Sequence, residues 1–141
     1  MNQILSILTG NTVDESIIEQ GYIGNSPYTA SCLISTASVY SICNGKVIAV
    51  DRDSRYGTWC ITVEVDSQHW IRYCKLGSVK VSAGQSLSTG NLLGFAYRNS
   101  MRLEYCTSAQ SQFPVRILSR QLYKQDPAHI LFGQEILAEG I

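Results

Sequence analysis

No apolar run in this 141-residue chain reaches the roughly 18 residues that a membrane-spanning helix needs. Nor does any cluster of Lys and Arg exceed two in a row. The first absence excludes a spanning helix. The second, with eleven basic side chains balanced by eleven acidic ones, excludes a nucleic-acid footprint and an electrostatic membrane binder. The segment Met1–Thr9 has no basic region and too short an apolar stretch for a signal peptide, so the chain is expected to be made in a cytoplasm without export by a signal of its own. Cys-x-x-Cys is absent too. The five cysteines, Cys32, Cys43, Cys60, Cys74 and Cys106, are odd in number and widely spaced. They read first as buried reduced thiols acting as small hydrophobes. A disulfide framework or a cysteine zinc site is the alternative.

What is present is a hydrophobic content of 45% in a chain long enough to bury one core. Ile4, Leu5, Ile7 and Leu8 have weak helical spacing. Thr12-Val13-Asp14-Glu15 fits a capping box and predicts a short helix over about 13–20, ended by Gly21. Residues 22–31, with Gly24, Asn25 and Pro27, read as loop. From residue 32 the period changes to two. Val39–Cys43 and Lys46–Asp51 flank Asn44-Gly45, a strong hairpin signal. Thr58–Val65, Trp70–Leu76, Leu92–Tyr97 and Met101–Thr107 are further strands, rich in β-branched and aromatic residues, with turns at Asp66-Ser67-Gln68, Ala83-Gly84 and Gly90-Asn91. Asp126-Pro127 is a helix start. The expected fold is mostly β, sandwich- or barrel-like, with short N- and C-terminal helices. The expected division is an arm over 1–31, a β domain over 32–133 and a tail over 134–141.

The order of motifs from residue 39 to 131 carries a resemblance. A strand ends in a turn at Asn44-Gly45, and Tyr56-Gly57 precedes the next strand. Tyr73-Cys74-Lys75-Leu76 follows, then Val81-Ser82-Ala83-Gly84-Gln85 running through Gly90 to Gly94. Ser100-Met101-Arg102-Leu103-Glu104 and Asp126-Pro127-Ala128-His129-Ile130-Leu131 complete the series. The series resembles the lysostaphin-type zinc endopeptidases, peptidoglycan hydrolases with a duplicated hybrid motif. The resemblance implies their fold over roughly residues 32–132.

The same resemblance argues against their chemistry. In that family a His and an Asp of an H-x-x-x-D motif and the second His of H-x-H hold zinc. The first His of H-x-H and the His of Y-x-H-L assist. Residues 22–38 contain neither His nor Asp, Ser100 and Arg102 stand at the H-x-H positions, and Lys75 stands at the Y-x-H-L position. The chain's two histidines, His69 and His129, fall outside these motifs. A permanent cation at Arg102 opposes a metal ion by simple repulsion. No metal, no cofactor and no zinc hydrolysis are therefore expected.

Other residues carry candidate chemistry. His69 reads as an exposed turn residue and His129 as structural. Cys74 and His69 as a nucleophile pair lie five apart on one strand, which puts them on opposite faces. Lys75, Arg102 and Glu104 are expected to line the former active-site groove, with Arg102 and Glu104 on one strand face. They form either a salt-bridged sheet surface or a groove remade to bind a protein segment. Trp59, Trp70, Tyr56, Tyr73, Tyr97 and Tyr105 are either core and edge residues or a carbohydrate-stacking platform. The glycine turns are also similar to those of lipoyl carriers and sugar phosphotransferases. The carrier Lys at a hairpin tip and the paired phosphocarrier histidines are missing.

The expected function is a non-catalytic structural or assembly subunit on a degenerate endopeptidase fold. The resemblance implies a phage tail or baseplate component, located in the virion. Its partners would be other protein subunits, met through the apolar termini Ile4, Leu5, Ile7, Leu8, Ile136, Leu137 and Ile141. The alternatives are an inactive module that binds peptidoglycan or activates an amidase, and a hydrolase with an unorthodox Cys or Lys site.

Overall fold

In a computed structural model of the protein, residues 3–26 and 29–107 are described. They form one helix, α1 (Gln3–Thr9), a 3-10 turn at Glu15–Ile17, and nine strands. The strands are β1 (Ile18–Ser26), β2 (Thr29–Ser35), β3 (Ser38–Tyr40), β4 (Gly45–Asp53), β5 (Thr58–Asp66), β6 (His69–Val79), β7 (Ser86–Leu87), β8 (Leu92–Ala96) and β9 (Ser100–Thr107). The fold is mostly β, as the strand-and-turn pattern predicts, and its strand pairings are antiparallel. The sheet runs β1-β2-β9-β6-β5-β4-β7, with β8 joining β6 and β3 joining β8. Its ends do not meet, so it remains an open sheet. The C-terminal helix expected at Asp126, His129 and the tail 134–141 lie outside the described residues.

The alternation of side chains gives the sheet two unlike faces. Ile61 and Val63 of β5, Ile71 and Tyr73 of β6, and Met101, Leu103 and Tyr105 of β9 are buried on one face. Val39, Ile42, Leu87 and Leu93 join them in a single core cluster. Ile4, Leu5 and Leu8 of α1 belong to that cluster as well, at 2%, 0% and 0% exposure. These three residues were expected to dock onto neighbours. Within the chain they cover its own core, which leaves them no free apolar surface. The expected boundary at residue 32 falls inside β2.

The N-terminal expectations needed two further corrections. The helix predicted over 13–20 is only the 3-10 turn, and residues 18–35 are two strands where a helix end and a loop were expected. Asp14, not Thr12, closes the turn: its Oδ1 accepts from the Ser16 amide at 2.9 Å. The Ser16 hydroxyl and amide together hold the Asp14 carboxyl below its ordinary value. The β-branched pair Ile17-Ile18 then leads into β1, where Ile18 pairs with Ile34. Pairing along β2, which is itself zipped to β9 from Thr29 to Ser35, outweighs a local capping signal worth about 1 kcal/mol.

Asn44-Gly45 does not make a hairpin either. β3 pairs with β8, while β4 pairs with β5 and β7. The Asn44 side chain instead accepts from the Thr89 amide at 2.9 Å. Glycine is required at 45 by packing, because a Cβ there would lie 2.6 Å from a Val63 methyl and 2.8 Å from the Glu64 carbonyl. The turns at Gly84 and Gly90 are as expected, each with φ near +90°, the left-handed region that suits glycine.

Candidate functional site

Lys75 is where β6 changes partners. From His69 to Cys74 the strand pairs with β9, and from Leu76 to Val79 it pairs with β8. Its register with β5 also slips between Ile61↔Tyr73 and Trp59↔Leu76. An extra residue on one strand is a β-bulge, which bends the strand and re-aims a side chain. Lys75 carries φ +63°, an uncommon conformation for a residue with a side chain. The partners explain why it persists. Its carbonyl accepts from the Tyr97 amide at 3.0 Å. Its ammonium donates to the carbonyls of Tyr97 at 2.9 Å and Ser100 at 3.1 Å.

Tyr97 and Ser100 flank the turn that joins β8 to β9, bridged across Arg98 and Asn99. Both central residues have positive φ, 54° and 58°, the signature of a type I′ turn. The Asn99 carbonyl is held by the Thr36 amide at 3.0 Å. Two motif positions far apart in sequence, Lys75 and Ser100, thus meet at one turn. Ser100 is buried at 8% exposure. Arg102, two residues on, is exposed and sits opposite Cys74 of β6 and Leu33 of β2.

The outer face of the sheet forms a groove of about 650 Å³. Lys75, Arg102 and Glu104 are among its lining residues. The Glu104 carboxylate is taken by Arg72, at 2.9 Å, its opposite number across the β6–β9 ladder. The pair is only partly exposed, at 40% for Arg72 and 15% for Glu104, so salt screens it less than a fully exposed pair. The remaining charges come from the β4–β5 end: Arg52, Arg55, Asp51 and Asp53. Five cations therefore line the groove against three carboxylates, in a chain of zero net charge. Aromatic walls accompany them. Arg52 stands over the Trp59 ring at 5.8 Å, Arg55 over Tyr56 at 4.9 Å, and Lys75 over Tyr97 at 5.5 Å.

Of the six candidate aromatics, Trp59, Tyr56 and Tyr97 line the groove, Tyr73 and Tyr105 are in the core, and Trp70 is half-buried on β6 outside the groove. The Tyr73 hydroxyl accepts from the Ile42 amide at 3.1 Å, tying β6 to the loop before β4. Burial, with Cys43 nearby, pushes its pKa well above the ordinary 10.0.

The sequence reading overlooked Arg72 and the β4 charges. Arg72 shares strand parity with Cys74, so a face assignment for β6 would have found it.

Two expectations about this region are corrected. Cys60 and Cys74 form a disulfide, with Cα atoms 4.1 Å apart, so not all the cysteines are reduced thiols. The β5–β6 pairing brings together two residues 14 apart in sequence, which no spacing rule signals. With Cys74 in the bridge, it has no thiol to pair with His69. His69 is not an exposed turn residue but the first residue of β6 and is buried. Its Nδ1 lies 2.7 Å from Asp66 Oδ1, while the same carboxylate accepts from the Gln68 amide at 2.8 Å, so the hairpin loop is only Ser67-Gln68.

The model for "Peptidase family M23" matches residues 32–117. The chain belongs to peptidase family M23. Three solved structures share its fold. Lysostaphin in solution has a TM-score of 0.51 at 19% identity, over 67% of this chain and 45% of its own. A zinc-containing peptidase from Vibrio cholerae has 0.51 at 21%, over 70% and 35%. CbpA from L. salivarius REN has 0.52 at 12%, over 90% of each chain. The chain thus spans less than half the length of the first two. No curated protein sequence matches it.

A catalytic zinc needs three protein ligands and an open position for water. Among the described residues, no group of three His, Cys, Asp or Glu is placed to hold a metal ion. Residues 22–38 supply no His or Asp, and β2 sets Ser31 and Leu33 opposite Glu104 and Arg102. Among the described residues, the side chains at these positions do not supply the three ligands of a catalytic zinc.

Proposed function

We propose that this chain is a non-catalytic member of peptidase family M23, retained as a structural or protein-binding subunit. One observation carries the reading. Lys75, Ser100 and Arg102 replace the family's histidines by motif, and the Lys75 ammonium is bound to the Ser100 carbonyl at 3.1 Å, with Arg102 two residues further along the same strand. A lysine ammonium and a guanidinium are donors only, and two fixed positive charges repel a divalent cation. The lysine is also ill-suited as a base or nucleophile, because its protons are directed at two carbonyls.

The finer reading is an assembly subunit of a phage tail or baseplate, in which a cell-wall hydrolase fold serves as a building block. It rests on the family resemblance and on a fold that hosts more than one function. Metal content by mass spectrometry, with particle size by light scattering, tests the proposal. No stoichiometric zinc, no release of peptides from peptidoglycan and co-assembly with the products of neighbouring tail genes are the expected results. About one zinc per chain in a peptidoglycan-cleaving monomer would overturn it.

A second reading, an inactive cell-wall-binding or amidase-activating module, is favoured by the aromatic walls, with Tyr56 65% exposed. Co-sedimentation with purified peptidoglycan separates it from the first.

A further inference from the structure

We infer that the groove binds an extended, carboxylate-bearing segment of a partner protein, with Arg102 as its anchor. The inference rests on the non-catalytic reading and names the ligand of the same surface.

Charge complementarity and geometry point to this occupant. Arg102 is exposed on the groove floor and makes no ion pair among the described residues. The nearest acidic side chain on its own strand face, Glu104, is already bound to Arg72 at 2.9 Å. Strand pairing sets Cys74 and Leu33 on either side of Arg102, and neither is a carboxylate. A guanidinium presents a planar fork that matches a carboxylate bidentately. Here that fork is offered to solvent on a floor stiffened by two strand ladders and the Cys60–Cys74 bridge.

Lys75 adds a second positive charge along the groove, held by its two carbonyls, with the Tyr97 ring beside it at 5.5 Å. An arginine anchor in a groove that also carries aromatic side chains is the composition of a protein-binding hot spot. The rim carboxylates Asp51 and Asp53 argue for a peptide over a polynucleotide. A phosphate backbone carries charge at every unit and would be repelled there. A peptide with isolated acidic residues and an apolar or aromatic side chain between them meets Arg102, the aromatic walls and the acidic rim without conflict.

The test is titration calorimetry of the full chain with the blocked peptide Gly-Glu-Phe-Glu-Gly, its Gly-Gln-Phe-Gln-Gly counterpart and an oligothymidylate. Zinc is measured on the same preparation, so that the metal content judges the non-catalytic reading and the titration judges the ligand. The expected result is saturable binding of the Glu peptide, at least tenfold weaker for the Gln peptide, and weakened with rising salt. Arg102→Gln should weaken it by about tenfold or more, the scale of one charged hydrogen-bonded contact. Lys46→Gln, an exposed cation outside the groove, should leave it unchanged. Arg102→Glu should exchange the preference for a Gly-Lys-Phe-Lys-Gly peptide. Binding of the Glu peptide that survives Arg102→Gln, equal binding of the Gln peptide, tighter binding of the oligothymidylate, or no heat at millimolar peptide would each overturn the inference.

Discussion

The ammonium of Lys75 donates to the carbonyl of Ser100 at 3.1 Å, across 25 residues of sequence. That contact joins the bulge of β6 to the turn between β8 and β9. Its backbone term and its side-chain term are separable. Lys75 holds φ +63°, so Lys75→Ala keeps the strain and loses both ammonium bonds. Lys75→Gly loses the bonds and releases the strain, worth about 1 kcal/mol for a left-handed residue. Lys75→Gly is therefore expected to unfold at higher denaturant than Lys75→Ala, with the wild type above both.

The Tyr73 hydroxyl makes the same kind of long-range tie, accepting from the Ile42 amide. Tyr73→Phe leaves that buried amide without its acceptor, at a cost of about 1–3 kcal/mol. The hydroxyl also sets an alkaline limit. Its folded-state pKa lies above the ordinary 10.0, so below pH 10 both states hold the proton and stability is unaffected. Above pH 10 the unfolded chain loses the proton first, and stability falls as pH rises toward the folded value. Denaturant midpoints between pH 8 and pH 11 should decline at the alkaline end for the wild type, and less steeply for Tyr73→Phe.

Closing a loop of this length by the Cys60–Cys74 bridge restricts the unfolded chain by about 3 kcal/mol in the chain-entropy model. Reductant should lower the unfolding midpoint accordingly. Non-reducing peptide mapping should recover the two cysteines in one linked fragment. Recovery of both as separate thiol peptides from oxidised protein would contradict the bridge.

Leu8 tests where the N-terminal helix belongs. It is fully buried in the common core, so Leu8→Ala should cost about 2–5 kcal/mol. A docking helix would lose partner binding with little change in the stability of the isolated chain.

Much of the fold was legible because strands from residue 45 onward repeat with period two and are punctuated by Gly84 and Gly90, turn positions that demand a left-handed backbone. The misreadings lie where local and long-range preferences compete. Residues 15–20 look like a capped helix until β2 offers Ile18 a partner in Ile34. Asn44-Gly45 looks like a hairpin until β3 finds β8. His69 looks exposed because its turn is polar, yet the hairpin loop ends one residue earlier and the residue is buried, its Nδ1 held by Asp66.

Local chemistry by itself determined the mostly β character, the turn glycines, the absence of histidine from positions 75, 100 and 102 and the balance of charge. Those are properties of residues and their near neighbours. The meeting of Lys75 with Ser100, the Arg72–Glu104 pair, the Cys60–Cys74 bridge and the burial of α1 were decided only by the tertiary structure. Each depends on which strand lies beside which. That choice is made by burying one continuous apolar face, a sum over the whole chain that no single segment carries.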